Sequence, residues 1–305
     1  MFDGFEVFDV EVDGVRIHGR RGGSGPPVLL LHGIPETHLM WRRVARALAD
    51  RFTVVATDLR GYGDSSSPPS AADHGPYAMR EIARDQVALM GVLGHRRFAV
   101  AGHDRGGRCA YRMALDRPDV VDRLAVLDIV PTADAFARAD ARFALGYWVW
   151  SFLAADDPIP ERLIAGDPGA FVDHMLDGWS SDPFAFPPEV RAEYVRCFSD
   201  PATVHSICEE YRAAATLDVD HDNADRGRRQ IRCPVLALWS LDGPLPEWYG
   251  DPLELWRPWA PHVRGHAVPG GHFLPEERPT DVTTALHAFL TQPSAGVDPR
   301  TGRSW

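Results

Sequence analysis

The chain has 305 residues, 45% hydrophobic and 25% charged, with a formal net charge of −11. That length fits one α/β domain carrying an insertion, and the composition gives ample material for a core. The acidic balance and the lack of any Lys/Arg run with interleaved aromatics exclude a nucleic-acid-binding surface. No apolar run approaches the ~20 residues that span a bilayer, so no membrane association is expected.

The start, Met1-Phe2-Asp3-Gly4-Phe5-Glu6, has no basic residue leading into an apolar stretch, so it does not read as a signal peptide. The four cysteines, Cys109, Cys197, Cys208 and Cys233, form no C-x-x-C pair. They are expected to be reduced and partly buried in a cytoplasmic protein.

In chain order, Phe5–Val10 and Val15–His18 read as antiparallel strands joined at Asp13-Gly14. Val28–His32 is an apolar run of the kind buried in a parallel sheet. Met40–Leu48 reads as a short helix, Thr53–Thr57 as a strand and Met79–Leu93 as a helix. Phe98–Gly102 is the next strand, Gly106–Asp116 a helix and Leu124–Ile129 a strand. This alternation predicts a mostly parallel sheet with helices on both faces.

The alternation stops between 132 and 230, a helical or irregular stretch rich in Trp, Pro and Asp. It resumes with a strand at Val235–Trp239, a helix at Pro252–Trp259, a strand at Gly265–Val268 and a helix at Asp281–Leu290. The expected organisation is a core in two parts, 1–131 and 231–291, a helical cap at 132–230, and a loose tail at 292–305.

Three segments carry the chemistry. In the first, the apolar strand Phe98–Gly102 runs into Gly102-His103-Asp104-Arg105-Gly106-Gly107, followed by a helix. Gly-x-Asp-x-Gly at this junction matches the sharp strand-to-helix turn that presents a nucleophile, with Asp where an acyl-transfer enzyme has Ser. A carboxylate suits attack on an sp³ carbon through an ester intermediate, and the helix N-terminus favours its ionised form. In the second, Leu31-His32-Gly33-Ile34-Pro35 follows a buried strand. The backbone N–H of Ile34, with that of Arg105, is expected to form an oxyanion hole; His32 is expected to be structural. In the third, Val268-Pro269-Gly270-Gly271-His272-Phe273 follows the last strand and places His272 as general base. The order nucleophile, acid, His gives the fold class: an α/β-hydrolase fold, a mostly parallel sheet with helices on both faces and a helical cap insertion. Two acids at strand ends, Asp128 and Asp242, are candidates to orient His272.

The stretch His103-Asp104-Arg105-Gly106-Gly107-Arg108, continuing through Tyr111-Arg112-Met113-Ala114, resembles the haloacetate dehalogenases. So do Val126-Leu127-Asp128-Ile129, Trp150-Ser151-Phe152, Glu210-Tyr211-Arg212 and Gly271-His272-Phe273-Leu274-Pro275. The likeness runs from about residue 2 to 290. It implies that Asp104 displaces halide, that Arg105 and Arg108 bind the substrate carboxylate, and that His272, oriented by Asp128, activates water. The arginine fork matches a carboxylate. The likeness also implies halide binding by Trp150 and Tyr211, while the family's third donor, a His, is Val149 here. Losing one donor to developing charge costs on the order of 10²–10³ in rate, so chloro- and bromo-acids are the expected substrates and defluorination is expected to be weak.

Trp148, Trp150 and Trp179 make the cap aromatic, as a larger pocket or as cap core. An epoxide hydrolase using Asp104 and His272 with Tyr211 and Tyr147 is the first alternative, and a non-catalytic binder of a small acid the second. The resemblance implies a small-molecule substrate, no cofactor and no metal, and admits a homodimer. Asp220-His221-Asp222 reads as a solvated loop, and Gly61-Tyr62-Gly63-Asp64-Ser65 as a turn with no phosphate-cradling motif.

Overall fold

The computed structural model describes residues 2–292, so the expected tail, apart from Gln292, lies outside the described residues. Eight strands form one sheet: β1 (Glu6–Val12), β2 (Val15–Gly22), β3 (Pro27–Leu31), β4 (Thr53–Thr57), β5 (Phe98–His103), β6 (Val121–Leu127), β7 (Val235–Ser240) and β8 (Val263–Val268). Their order is β1-β2-β4-β3-β5-β6-β7-β8. β2 pairs antiparallel with β1 and β4, and every pairing from β4 to β8 is parallel. β5 is buried along its whole length, the pattern of a strand covered on both faces.

The helices of the first part are α1 (Arg42–Leu48), α2 (Met79–Val92) and α3 (Asp104–Asp116). Between β6 and β7 come α4 (Thr132–Ala137), α5 (Ala141–Gly146), α6 (Trp148–Leu153), α7 (Ile159–Gly166), α8 (Pro168–Trp179), α9 (Pro188–Phe198), α10 (Pro201–Ala213) and α11 (Val219–Asp225), with a π-helical turn at Ala214–Asp218. After β7 follow α12 (Leu245–Tyr249), α13 (Pro252–Trp256), α14 (Leu274–Glu277) and α15 (Pro279–Leu290). No helix of the described residues is long and apolar enough to cross a membrane. All four cysteines are unpaired, and Cys109, Cys197 and Cys208 are buried.

Several expectations are corrected in detail. The helix expected at 252–259 ends at Trp256, because Pro258 restricts the residue before it and has no N–H to donate. The helix Leu245–Tyr249 went unrecognised. The strand expected to reach Ile129 stops at Leu127, since Asp128 has φ +53°. Helix α3 begins at Asp104, two residues earlier than the pattern suggested.

The segment 220–222 is also no solvated loop. It lies in α11, and Asp222 is buried, accepting from the Tyr111 hydroxyl (2.8 Å) and the Ala133 N–H (3.1 Å). Alongside it Arg112 of α3 donates to Asp225 (2.5 Å) and Asp116 (2.9 Å). The Arg112–Asp225 pair and the Tyr111–Asp222 bond fix α11 on α3, because separating Arg112 from Asp225 leaves a sequestered charge uncompensated.

Candidate active site

The direction of sheet growth reverses between β3 and β5. In open α/β sheets the crevice at the carboxyl ends of such strands is where ligands bind. The loop after β3 and the turn after β5 meet there, and Gly33 shows how closely: a Cβ on it would lie 2.5 Å from the Asp104 Cβ. The turn itself is tight. A Cβ on Gly102 would strike the Gly106 carbonyl, and one on Gly106 would strike the backbone of Leu31 and His32. Asp104 adopts φ +44°, a left-handed conformation that costs a non-glycine residue on the order of 1–3 kcal/mol and lifts its side chain off the strand end.

Asp104 Oδ1 accepts a hydrogen bond from the Ile34 N–H at 3.1 Å. The Arg105 N–H makes no such bond among the described residues, so of the two expected backbone donors only Ile34 is engaged. Asp104 Oδ2 lies 4.0 Å from His272 Nε2. Burial alone would raise the Asp104 pKa, but the positive charge available at His272, His103, Arg105 and Arg108 outweighs it and holds the carboxyl below its usual value.

His272 follows β8 on the loop that leads into α14. Its Nδ1 is 2.7 Å from Asp128 Oδ2. Asp128 Oδ1 accepts from the Ser240 N–H at 2.8 Å, which ties the carboxylate to the end of the adjacent strand. Asp242 points elsewhere: its Oδ2 accepts from the Gly270 N–H at 3.0 Å. Burial would lower the His272 pKa, but the hydrogen bond and charge of Asp128, with Asp104 and Glu36, raise it above its ordinary value. His32 donates through Nδ1 to its neighbour's carbonyl and accepts at Nε2 from the Leu59 N–H (3.0 Å). Burial lowers its pKa to about 4 against the opposing pull of Asp58 and the Gly33 carbonyl, and the paired neutral ring is a structural part.

Both arginines are buried. Arg105 Nε donates to Glu210 Oε1 at 2.7 Å, while its Nη1 and Nη2 have no acceptor among the described residues. Its guanidinium carbon lies 4.5 Å from the Tyr211 ring centre. Arg108 Nη1 donates to the Val130 carbonyl and the Thr132 hydroxyl, both at 3.1 Å, its Nε has no acceptor, and it lies 4.5 Å over the Trp150 ring. Such cation–π contacts keep the forks in place without consuming their N–H groups.

From the segment between β6 and β7, Tyr147 stacks on Trp150 with ring centres 6.2 Å apart and stands edge-on to His272 at 6.3 Å. Trp179 lies 5.6 Å from the His272 ring, whereas Trp148 packs on Phe152, Phe171 and His174. The Tyr147 and Tyr211 hydroxyls and the Trp150 indole N–H have no hydrogen-bond partner among the described residues. A cavity of about 240 Å³ opens beside His272, lined by Tyr147, Trp179, Trp248 and Asp242. Sequence reasoning missed Trp248, Glu36 and the part played by Glu210. Glu36 lies 3.4 Å from His103 Nδ1, and its only sequence signal was its place directly after Gly33-Ile34-Pro35. Glu210 stood within a segment that carried the family resemblance, but nothing there pointed to Arg105.

This arrangement of a carboxylate on a strained turn, a backbone donor and a carboxylate-oriented histidine is that of a hydrolase. The chain belongs to the α/β-hydrolase fold family, whose model matches residues 26–279. It is haloacetate dehalogenase-like: it is 44% identical over 298 residues, 97% of each chain, to a fluoroacetate dehalogenase of Burkholderia sp. It is also 36% identical over 286 residues to a soluble epoxide hydrolase of Corynebacterium sp. (strain C12), covering 91% of this chain and 95% of that one. Among solved structures, an α/β hydrolase from Nostoc sp PCC 7120 superposes with a TM-score of 0.94 at 48% identity, over 96% of this chain and 100% of that one.

Proposed function

We propose that this hydrolase removes halide from small 2-halo carboxylic acids, replacing it with hydroxyl. The observation that supports the reading best is the pair of terminal amino groups of Arg105, buried without an acceptor beside an ionised nucleophile. Buried charged donors are nearly always satisfied, and a carboxylate is the ligand their planar fork fits. Arg108, bonded only to neutral acceptors, adds a second cation.

In the first step Asp104 Oδ2, the oxygen not engaged by Ile34, attacks the α-carbon. The carbon–halogen bond breaks, and halide leaves with its electron pair toward the free donors of Trp150 and Tyr211. In the second, His272 Nε2 takes a proton from water, and the hydroxide attacks Asp104 Cγ. The oxyanion forms at Oδ1, where the Ile34 N–H donates. The bond from Cγ to the alkyl oxygen then breaks, the hydroxy acid leaves with the proton from His272, and Asp104 is regenerated. The net change is halo-acid plus water to hydroxy-acid, halide and a proton.

A second reading is epoxide hydrolysis, favoured by the unpartnered Tyr147 and Tyr211 hydroxyls, which could donate to an epoxide oxygen. Chloride release from chloroacetate, measured beside diol formation from styrene oxide, tests both. Faster turnover of chloroacetate is the expected result, and diol formation without chloride release would overturn it.

A further inference from the structure

Arg105 and Arg108 do not offer a substrate the same charge. Arg108 donates only to neutral oxygens, those of Val130 and Thr132. Arg105 is in contact with a carboxylate, Glu210 Oε1 at 2.7 Å, and both members of that pair are fully buried. Glu210 is itself fixed from the far side, because the Tyr62 hydroxyl donates to its Oε2 at 2.5 Å. Asp218, another buried acid near Arg105, is pushed up to about 7 by burial, so Glu210, in direct contact, is the principal counter-charge. Arg105 thus holds two unpartnered buried N–H-bearing nitrogens with much of its charge cancelled.

We propose that Glu210 is a positioning residue that sets the charge preference of the pocket. By pairing with Arg105 it limits the site to about one uncompensated cation, so that neutral as well as anionic substrates can sit beside Asp104. The inference rests on the halo-acid reading for the anionic arm. Two charges a few Å apart in surroundings of effective dielectric near 20 interact strongly enough to change affinity by an order of magnitude.

The test compares chloroacetate with its neutral isostere chloroacetamide. Binding is measured by calorimetry in an Asp104→Asn background, so that neither probe is consumed, with and without Glu210→Gln. The glutamine keeps its carbonyl oxygen as the acceptor for Arg105 Nε, turns its amide N–H toward the Tyr62 oxygen as a donor, and removes the charge. The expected result is that affinity for chloroacetate over chloroacetamide rises about tenfold. Glu210→Asp keeps the charge, and its selectivity is expected to stay near that of the parent, which a purely structural role would not distinguish. If the glutamine variant fails to fold, Tyr62→Phe serves instead. It strips a donor from Glu210, strengthens its hold on Arg105, and is expected to lower the preference for chloroacetate.

Unchanged selectivity in Glu210→Gln, no chloroacetate binding by it, or an equal change in Glu210→Asp overturns the inference. Failure of the wild type to release chloride overturns the functional reading instead, since the binding ratio is read without turnover.

Discussion

His272 Nδ1 lies 2.7 Å from Asp128 Oδ2, and the other oxygen of that carboxylate is bound by the Ser240 N–H. Asp128 therefore cannot rotate away without breaking a bond to β7, and the imidazole is held with Nε2 toward Asp104. Replacing Asp128 by Asn removes the charge that favours imidazolium. The step in which His272 takes a proton is expected to slow by roughly 10²–10⁴, while attack by Asp104 is less affected. Mass spectrometry of Asp128→Asn during turnover of chloroacetate should then find Asp104 carrying one carboxymethyl group. An absence of adduct with a comparable loss of rate would place the defect in the first step.

The pH dependence follows from two opposed shifts. His272 must be neutral to act as base, and its pKa is raised above the ordinary 6.5. Turnover is expected to rise with pH through that raised value, whereas Asp104, held below 3.8, remains ionised throughout this range. Stability runs the other way. A group whose pKa is higher folded than unfolded contributes stability that is complete below about 6.5 and is lost as pH rises through the folded value. Activity and thermal midpoint measured together from pH 6 to 9, about the ordinary imidazole range, should diverge in His272-containing protein. The midpoint's slope should flatten in His272→Gln.

The two arginines should respond differently to truncation. Arg105→Met leaves Glu210 buried without its counter-charge, which costs about 3–5 kcal/mol of stability. Arg108→Met removes bonds from a charged donor to two neutral acceptors, and about 1.5–3 kcal/mol is expected. Both should raise KM for a halo-acid. Denaturant unfolding of the two variants side by side checks the order, and an equal loss would contradict the pairing described for Arg105.

Val149 is buried in α6, where the resemblance places a His that donates to halide. Fluoride needs more help in leaving than chloride, so fluoride release from fluoroacetate is expected to be on the order of 10²–10³ slower than chloride release from chloroacetate. Ion-selective electrodes measure both, and comparable rates would remove Val149 from the account of halide selectivity.

Local patterning in the chain accounts for much of this architecture. The apolar runs of β3 and β5 and the glycines flanking Asp104 report their own surroundings, because burial on both faces and a tight turn each demand particular residues at particular spacings. Strand patterning alone leaves Asp128 and Asp242 equivalent, since both follow adjacent parallel strands that pair Leu127 with Leu238, and it is the family resemblance that points to Asp128. Only the left-handed backbone at Asp128 and its bond to Ser240 decide which carboxylate meets His272. The partnership of Arg105 with Glu210 spans 105 positions and leaves no periodic trace. The burial of Asp222 was hidden for the same reason: an acidic triplet reads as solvated until Tyr111 is known to lie against it.

Glu210 belongs to a helix of the inserted segment, yet its two oxygens are bound by Arg105 and Tyr62, both of the part of the chain that precedes the insertion. The insertion is thus not an interchangeable module. A chimera that grafts residues 132–230 of a relative onto this scaffold must bring an acid at position 210, or it will strand Arg105 next to Asp104. Recombination between such enzymes is constrained to exchange the two residues together.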